Sequence, residues 1–444
     1  MTRFTVVSIL PEIVDGALAV GVVGRARAAG GLPLAFVNPR DFTHDRHRSV
    51  DDTPYGGGPG MVMRCEPLAA AIDAAGPGHR VFLGPGGAPL TQATVRRLAT
   101  LDHVVLVCGR YEGVDQRVLD ACIDEEISLG DFVLTGGELG AACVIDAVAR
   151  FLPGVLGDAA SADDESFAAG LLEYPQYTRP AVFRDRPIPE ILAGGNHEAI
   201  RRWRRGESLR RTARRRPELY ARHRLDKLDR KLAEAAGLDV AGRTSIALVH
   251  HPVHDRTGAV VTSAVTNLDI HDLARTARTF GLAGYHVVTP VESQRSKAEH
   301  IAAAWQELAA DTGPRGPGGG HDGRASALRI VHTAPSVADV IAAITAQHGQ
   351  APRVVATSAD PARFPGARRL TGPALLGELI DAPGQPMLLL FGTGWGLADA
   401  ELPQVTDLLP PIESRTGWNH LSVRSAAAIV VADLFGVRSP APTA

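Results

Sequence analysis

The run Val104–Val107, in the stretch DHVVLVCGRYEGVDQRV, constrains the fold of this chain more than any other short segment. Its residues are apolar and mostly β-branched, and because nothing polar interrupts them they predict a strand buried on both faces. At Cys108 and Gly109 the chain turns into a polar loop. Open α/β sheets bind ligands at such places, where a buried strand ends in a glycine-bearing loop. The segment PMLLLFGTGWGLADAEL, residues 386–402, repeats the same order of elements.

Strand-like and helix-like segments alternate from the first residue to about residue 157, which is typical of an α/β fold with a mainly parallel sheet. A second α/β alternation begins near Thr244. Between them, residues 171 to about 238 contain no strand-like run and predict helices throughout, interrupted at Gly194 and Pro217. We therefore expect an α/β domain at 1–160, a flexible acidic linker at 161–174, a small all-helical domain at 175–240 and a second α/β domain at 244–444.

The overall composition restricts the class of protein. A chain of 444 residues is too long for one ordinary core, and no apolar run approaches the roughly 20 residues of a membrane span. The opening MTRFTVVSILPEIV lacks the apolar core of a signal peptide and predicts a strand instead. The four cysteines show no CxxC pairing, so neither a zinc ribbon nor a disulfide framework is indicated. These features predict a cytoplasmic protein.

The charges are distributed unevenly. The net charge is −3, yet Arg201–Arg216 contains nine arginines in sixteen residues. A basic helical segment of this kind either binds a nucleic-acid backbone or forms a solvated face.

The glycine clusters do not match the usual nucleotide-binding motifs. DDTPYGGGPGMVM, residues 51–63, has no Lys-Ser/Thr after its glycines, and FGTGWG does not have the spacing of a dinucleotide fingerprint. A nucleotide hydrolase is therefore disfavoured. The histidines of HHPVHD, residues 250–255, lack the further Cys, His or Asp residues that a metal site would need.

Six motifs in a fixed order carry a family resemblance: PYGGGPGMVM, CGRYEGVDQRV, ISLGDFVLTGGE, DAVARFLPGVLG, GLLEYPQYTRP and GNHEAIRRWRRGESLRRT. Over about residues 1–236 the chain resembles the bacterial tRNA (guanine-N1)-methyltransferases of the SPOUT superfamily. These enzymes methylate the guanosine just 3′ of the anticodon, at position 37. The resemblance implies a deep trefoil knot, a homodimer that holds tRNA rather than DNA across both subunits, S-adenosylmethionine as cofactor and a use of Mg²⁺.

The resemblance also implies which residues bind S-adenosylmethionine. Glycine lets the backbone approach the adenine closely, and apolar side chains can sandwich its ring. The carboxylates of Glu112 and Asp131 would offset the sulfonium charge or bind ribose hydroxyls, and Asp131 has the alternative role of a helix or turn cap. The implied residues are Leu83, Gly84, Pro85, Gly109, Tyr111, Glu112, Gly113, Leu129, Gly130, Asp131, Phe132, Val133, Leu134, Gly136 and Gly137.

Catalysis needs a base for the proton on guanine N1 and a cation for the charge that develops towards O6. The resemblance implies Arg150 as the cation. At the base position the family has aspartate, whereas this chain has Glu165; a shifted register would use Asp164 instead.

For the tRNA backbone, the resemblance places RNA-binding residues at His197, Arg201, Trp203 and Arg204. Arginine contacts to phosphate are independent of sequence and sensitive to salt.

The C-terminal half is similar to a second SPOUT-type RNA methyltransferase, on shorter motifs. TNLDIHDLARTARTFG is similar to the first motif of ribose 2′-O-methyltransferases and places Arg275 at the catalytic arginine. LLLFGTGWGL is similar to the cofactor loop, with Gly392, Gly394 and Gly396, and PPIESRTGWNHLSVRSAAAIV to the last knot motif, with Asn419 and Ser422. This implies methylation of a ribose 2′-hydroxyl. The alternative is a non-catalytic RNA-binding or dimerisation module.

Overall fold

A computed structural model describes residues 2–156, 165–312, 321–360 and 362–436, with the side chains of all of these except residues 308–312 and 321–322. The chain divides into two compact units, residues 1–169 and 170–444. Among the helices that the structure describes, none is both long and apolar enough to cross a membrane.

The first unit is an α/β domain. Its strands are β1 (Arg3–Val7), β2 (Leu34–Val37), β3 (Asp51–Asp52), β4 (Val62–Met63), β5 (His79–Pro89), β6 (His103–Cys108) and β7 (Glu125–Ser128). Its helices are α1 (Pro11–Ala17), α2 (Gly21–Ala28), α3 (Cys65–Ala74), α4 (Gln92–Leu98), α5 (Gln116–Cys122) and α6 (Glu138–Ala149). Five strands form one sheet in the order β2-β1-β6-β5-β7, and every pairing is parallel. The prediction of a mainly parallel sheet is confirmed.

Strand β6 lies at the centre of this sheet and is buried along its whole length. Val104 and Leu106 belong to an apolar cluster that includes residues of α1, α4 and α6. Val105 and Val107 belong to a different cluster, which includes residues of α3 and α5. Because successive side chains of a strand point to opposite faces, helices cover both faces of the sheet. The uninterrupted apolar run predicted this arrangement.

The second unit begins with a mainly helical segment and continues as an α/β domain. Its strands are β8 (Val182–Phe183), β9 (Arg186–Pro187), β10 (Thr244–Val249), β11 (Val253–His254), β12 (Val260–Val261), β13 (Gly284–Val288), β14 (Val331–Ala334), β15 (Arg353–Ala356), β16 (Arg368–Arg369), β17 (Met387–Gly392) and β18 (Asp407–Leu408). Its helices are α7 (Glu190–Ala193), α8 (His197–Arg215), α9 (Pro217–Arg222), α10 (Lys227–Ala235), α11 (Asn267–Thr279), α12 (Glu292–Thr312), α13 (His321–Leu328), α14 (Val337–His348), α15 (Gly372–Asp381) and α16 (Val423–Phe435).

Seven strands of this unit form a parallel sheet in the order β14-β13-β10-β17-β15-β18-β16. The central strands β10 and β17 are apolar and buried, as the alternating pattern predicted. Residues 244–436 therefore form a second α/β layer structure.

The segment before this sheet is not all-helical, and that part of the fold prediction is wrong. Strands β8 and β9 form a short antiparallel hairpin. Its turn residues Arg184 and Asp185 both have left-handed backbone conformations, with φ of 50° and 59°. A two-residue turn of this kind matches the twist of a hairpin. Each strand has only two residues, too few to produce an alternating pattern in the sequence.

The helical segment shares its core with the second α/β domain. Leu209 and Ala213 of α8 belong to the same buried cluster as Leu375 and Leu379 of α15. At the edge of this contact, Arg214 donates to the carboxylate of Asp381 at 2.6 Å. Helix α8 is therefore anchored on α15.

Candidate active site

The first cleft lies at the carboxyl ends of β6 and β7 and beside the middle of β5. Its volume is about 170 Å³, and glycine loops and the first turn of α6 form its walls. Of the residues before position 138 that the sequence assigned to the cofactor, all line this cleft except Asp131, which is exposed and lies outside the lining. The lining residues among them are Leu83, Gly84, Pro85, Gly109, Tyr111, Glu112, Gly113, Leu129, Gly130, Phe132, Val133, Leu134, Gly136 and Gly137.

The sequence reasoning missed several lining residues, namely Phe82, Arg110, Ile127, Ser128, Thr135 and Gly140. Ile127 lies near the end of β7, where a strand-end rule would have found it, whereas Phe82 lies inside β5, just before the register shift between Leu83 and Ala88. Arg110 stands within the quoted CGRYEG motif. Phe132 and Val133 are exposed apolar side chains at the cleft, and such side chains can cover a planar ring.

Two glycine-bearing loops meet at the floor of the cleft. The backbone N–H of Gly137 donates to the carbonyl of Gly109 at 2.9 Å. A Cβ atom on Gly137 would lie 2.8 Å from the Cα of Cys108, which is backbone and cannot move aside. Glycine is required here because the chain of one loop passes directly over the end of β6.

The glycine cluster of residues 56–60 packs against the same site. Glu112 donates its backbone N–H to the carbonyl of Met61 at 2.9 Å. A Cβ on Gly60 would collide with the Glu112 side chain at 2.4 Å. Tyr111 has a left-handed φ of 60°, a conformation that non-glycine residues keep mainly where the surroundings enforce it. Burial, together with nearby Asp51, raises the pKa of Tyr111.

A buried carboxylate connects the loops. Glu138 is 1 % exposed and accepts hydrogen bonds from Ser8 Oγ at 2.6 Å and from Arg110 Nε at 2.9 Å. Arg110 also donates to the carbonyl of Thr135 at 3.2 Å. The guanidinium therefore joins the loop after β6 to the loop before α6. Both loops line the cleft, so this network fixes its shape.

The two residues assigned to methylation of the guanine form an ion pair. Arg150 donates to the carboxylate of Glu165, and both side chains are partly exposed. Asp164, the competing base, lies outside the described residues. Neither Arg150 nor Glu165 lines the first cleft. Helix α6 explains this, because its 12 residues separate the cleft from Arg150 at its far end by about 18 Å.

The residues assigned to RNA binding lie in the first two turns of α8. His197 and Arg201 are exposed, and Arg201 pairs with Glu198 on the same helix. The guanidinium of Arg204 lies 4.7 Å from the centre of the Tyr174 ring. The Trp203 ring lies 6.2 Å from that of Tyr177. The structure thus brings these residues onto one helix beside two tyrosines.

One arginine of the same helix has a structural role. Arg205 makes two hydrogen bonds to the carboxylate of Asp229, at 2.7 and 2.8 Å, and His223 approaches the same carboxylate at 2.9 Å. Burial alone would raise the pKa of Asp229, but the hydrogen bonds from Arg205 and His223 outweigh it and lower this pKa to about 2.

The second cleft lies at the carboxyl end of β17 in the second unit and has a volume of about 800 Å³. Gly392, Gly394, Gly396 and Ser422, which the sequence placed at the cofactor, all line it, as does Asn419 of the last knot motif. Arg275 does not: it is an exposed residue of α11 outside the lining. The sequence reasoning did not single out other lining residues, among them Ser263, Asp269, Thr393 and Trp395.

Within the described parts of the chain, no three His, Cys, Asp or Glu residues are grouped closely enough to hold a metal ion. The use of Mg²⁺ stays a prediction.

Together, the two parallel sheets, each with a glycine-loop cleft at the carboxyl ends of its strands, define an α/β protein with two separate ligand-binding clefts. Residues 2–222 match the family model described as tRNA (Guanine-1)-methyltransferase TrmD, and residues 243–436 match the one described as SAM-dependent RNA methyltransferase.

Relatives of full length agree with these matches. The tRNA (guanine-N(1)-)-methyltransferase of Oleidesulfovibrio alaskensis is 44% identical over 98% of this chain and 99% of its own. The enzyme of the same name from Nitratidesulfovibrio vulgaris is 42% identical over 98% of this chain and 99% of its own. The enzyme of the same name from Stenotrophomonas maltophilia is 53% identical, over 53% of this chain and 96% of its own. The chain belongs to the tRNA (guanine-N(1)-)-methyltransferase family and carries a second, SAM-dependent RNA methyltransferase domain.

Proposed function

We propose that this protein transfers the methyl group of S-adenosylmethionine to N1 of a guanosine in tRNA, at the position just 3′ of the anticodon. The first cleft carries this proposal, since the residues that the family resemblance assigns to the cofactor converge there from four separate segments. Apolar side chains suit the adenine, glycines admit the backbone to its edge, and the Glu112 carboxylate suits the sulfonium. At the strand ends that form this cleft, the chain is proposed to form the deep trefoil knot of the family.

The chemistry needs one base and one cation. S-adenosylmethionine, when bound, supplies an electrophilic methyl group. The carboxylate of Glu165 would take the proton that guanine N1 loses when this methyl group leaves the sulfonium sulfur for N1. The guanidinium of Arg150, already paired with Glu165, stabilises the negative charge that develops at O6. The arginines of α8 hold the tRNA backbone.

The position of this pair leads to a proposal about assembly. Arg150 stands about 18 Å from the cleft end of its own α6, too far for one guanine to reach both. A homodimer in which each subunit's Glu165 and Arg150 face the partner's cleft would bring the groups together. The two-fold symmetry of such a dimer produces two equivalent sites.

Site-directed variants test the base. With S-adenosylmethionine and unmodified tRNA, Glu165→Gln should lose at least about 100-fold in the rate of 1-methylguanosine formation, measured by mass after digestion to nucleosides. Glu165→Asp, which restores the family's residue, should keep most of the activity. Asp164→Asn is the matched control. If Asp164→Asn abolishes the product and Glu165→Gln does not, the base is Asp164.

Mixed dimers test the assembly. Glu165→Gln lacks the base but keeps the cleft, and Gly137→Ala keeps the base but lacks the cleft. After unfolding and refolding of an equal mixture, about a quarter of the wild-type activity should return, because half of the dimers carry one complete site. An inactive mixture that refolds into dimers would refute the shared site.

For residues 243–436 the proposal is methylation of a ribose 2′-hydroxyl in RNA, and the alternative is an RNA-binding or dimerisation module. The second cleft and the family match support a cofactor site. The exposed position of Arg275 supports the alternative. Arg275→Ala should abolish any 2′-O-methylnucleoside, while Arg278→Ala, exposed on the same helix, should not. Wild-type protein that forms 1-methylguanosine alone on total RNA would favour the alternative.

A further inference from the structure

The indole of Trp395 has no assigned role and stands in an unusual position. It is 62 % exposed, although large aromatic rings are usually buried, and it lines the second cleft. The ring lies on the glycine loop that follows β17.

The backbone of this loop is held in place on both sides of the ring. Trp395 donates its N–H to the carbonyl of His254 at 3.0 Å, and His254 donates to the carbonyl of Gly396 at 2.9 Å. Gly394 and Gly396 have φ of 60° and 99°, which glycine adopts without strain. A Cβ on Gly394 would lie 2.9 Å from the His254 carbonyl oxygen. The loop therefore presents the indole from a fixed backbone.

A second exposed indole, that of Trp418, stands beside the cleft rather than in its lining, next to the lining residue His420. Trp418 is 70 % exposed, and its ring centre lies 4.7 Å from that of His420, which lines the cleft. The amide of Asn419 and the hydroxyl of Thr393 also line it, and both can hydrogen-bond to the edge of a base. The cleft thus combines exposed rings with polar edge groups.

Charged groups contribute less to the second cleft than its aromatic and polar groups do. Arg363 is a lining residue, but its guanidinium donates to the carboxylate of Asp399 at 3.0 Å, and Asp269 also lines the cleft. A site that recognises phosphate would be expected to carry unpaired arginines or lysines. The arrangement therefore favours recognition of a planar, uncharged base over recognition of a phosphate.

We propose that the second cleft binds an unpaired RNA nucleotide whose base stacks on Trp395. Unpaired bases expose a π-face that aromatic side chains recognise, whereas bases within a duplex are stacked and inaccessible. A cleft of about 800 Å³ is at the upper end of the range for small-molecule sites, which suits a nucleotide beside a cofactor. The inference rests on the proposal that residues 243–436 act on RNA.

The experiment uses the full chain and an unstructured hexauridylate RNA with one central 2-aminopurine. Anisotropy gives its affinity, and quenching of the 2-aminopurine reports stacking. Trp395→Ala should weaken binding by roughly 5- to 100-fold and remove the quenching, and Trp395→Phe should keep most of both. Trp395→Leu, which is apolar but cannot stack, should behave like the alanine variant. Leu268→Ala, another exposed apolar residue of this unit, is the control.

Salt dependence separates stacking from backbone binding elsewhere on the chain. Affinity for the RNA should fall as KCl rises from about 50 to 300 mM, while the ratio of wild-type to Trp395→Ala affinity stays constant. Equal affinity of wild type and Trp395→Ala would overturn the proposal.

Two further measurements test whether the cofactor or a second copy of the chain, rather than an RNA base, covers Trp395. If Trp395→Ala lowers the number of S-adenosylmethionine sites per chain from two to one in calorimetry, the indole covers the cofactor and the proposal is wrong. A change in oligomeric state by light scattering would place a second copy of the chain over the ring, which also refutes it. One cofactor site in the wild type would overturn the methyltransferase function of residues 243–436 but not the stacking result.

Discussion

Replacement of Asp229 by asparagine should loosen the helical segment that carries the basic helix α8. The carboxylate is 1 % exposed and accepts two hydrogen bonds from Arg205. Its pKa is lowered from 3.8 to about 2, because these bonds and that of His223 outweigh the effect of burial. A shift of this size corresponds to about 2 kcal/mol of folding free energy. Asp229→Asn removes the charge and leaves Arg205 without its ionic partner.

Hydrogen exchange measured by mass spectrometry can localise this effect, which a global unfolding curve of a two-unit protein cannot. Amides of α8 and α10 should lose about 30-fold in protection at pH 7, since about 1.4 kcal/mol corresponds to a factor of ten. Peptides of β1 and β6 serve as an internal control. Because the folded pKa of Asp229 is depressed, the same contribution is present above pH 4 and is lost as the pH falls towards 2.

A surface ion pair on the same helix provides the matched control. Glu198 pairs with Arg201, and both side chains are exposed. Glu198→Gln should leave the protection of α8 unchanged, because exposed ion pairs contribute little. If Asp229→Asn reduces protection in α8 by less than about threefold, the buried carboxylate does not hold these helices together and the reasoning is refuted.

Three other perturbations have defined outcomes. Glu138→Gln should raise the Kd for S-adenosylmethionine about tenfold in calorimetry, because Arg110 loses its ionic partner; a Kd within twofold of wild type would contradict this. Gly137→Ala should abolish tRNA methylation while the circular dichroism spectrum is kept, since the added Cβ would meet the Cα of Cys108 at 2.8 Å; full activity would show that the loops can separate. Burial and a neighbouring imidazole lower the pKa of His286 to about 4, so the unfolded chain binds the extra proton between pH 6.5 and 4. His286 should therefore contribute up to about 1.4 kcal/mol per pH unit to the stability that the second unit loses on acidification, and His286→Gln should lessen the loss of hydrogen-exchange protection in β13 between pH 6.5 and 4; an equal loss in both proteins would count against the buried neutral histidine.

Some elements of the fold could be predicted from the sequence and others could not. Strand β6 was predictable because four consecutive apolar residues can only be satisfied by burial on both faces. The hairpin of β8 and β9 was not, since its two-residue strands carry no periodicity and its turn places Arg184 and Asp185, rather than glycine, in left-handed conformations.

In the first cleft, too, some residues could be predicted from the sequence, whereas their contacts could not. The family motifs placed fourteen lining residues together, in β5 and in the loops that follow the strands. They did not reveal that Glu138, Arg110 and Ser8 form one network, because Ser8 lies 130 residues from Glu138 in the chain. Contacts at that separation depend on the order of strands in the sheet, which local patterns do not specify.

Residues 175–240 show where sequence reasoning reaches its limit. The absence of strand-like runs predicted helices here, but not which surface packs against α8. In the structure α15 packs against it, with Leu209 and Leu375 in one buried cluster.

The sequence alone determined the class of fold, the position of both glycine loops and the family of each half, because burial periodicity and long motifs are local properties of the chain. Only the tertiary structure decided that Arg150 pairs with Glu165 away from its own cleft, that Arg275 lies outside the second cleft, and that Trp395 lines it with an exposed ring. These outcomes depend on distances between segments that are far apart in sequence. Such distances are set by helix length and strand order, and no single segment encodes them.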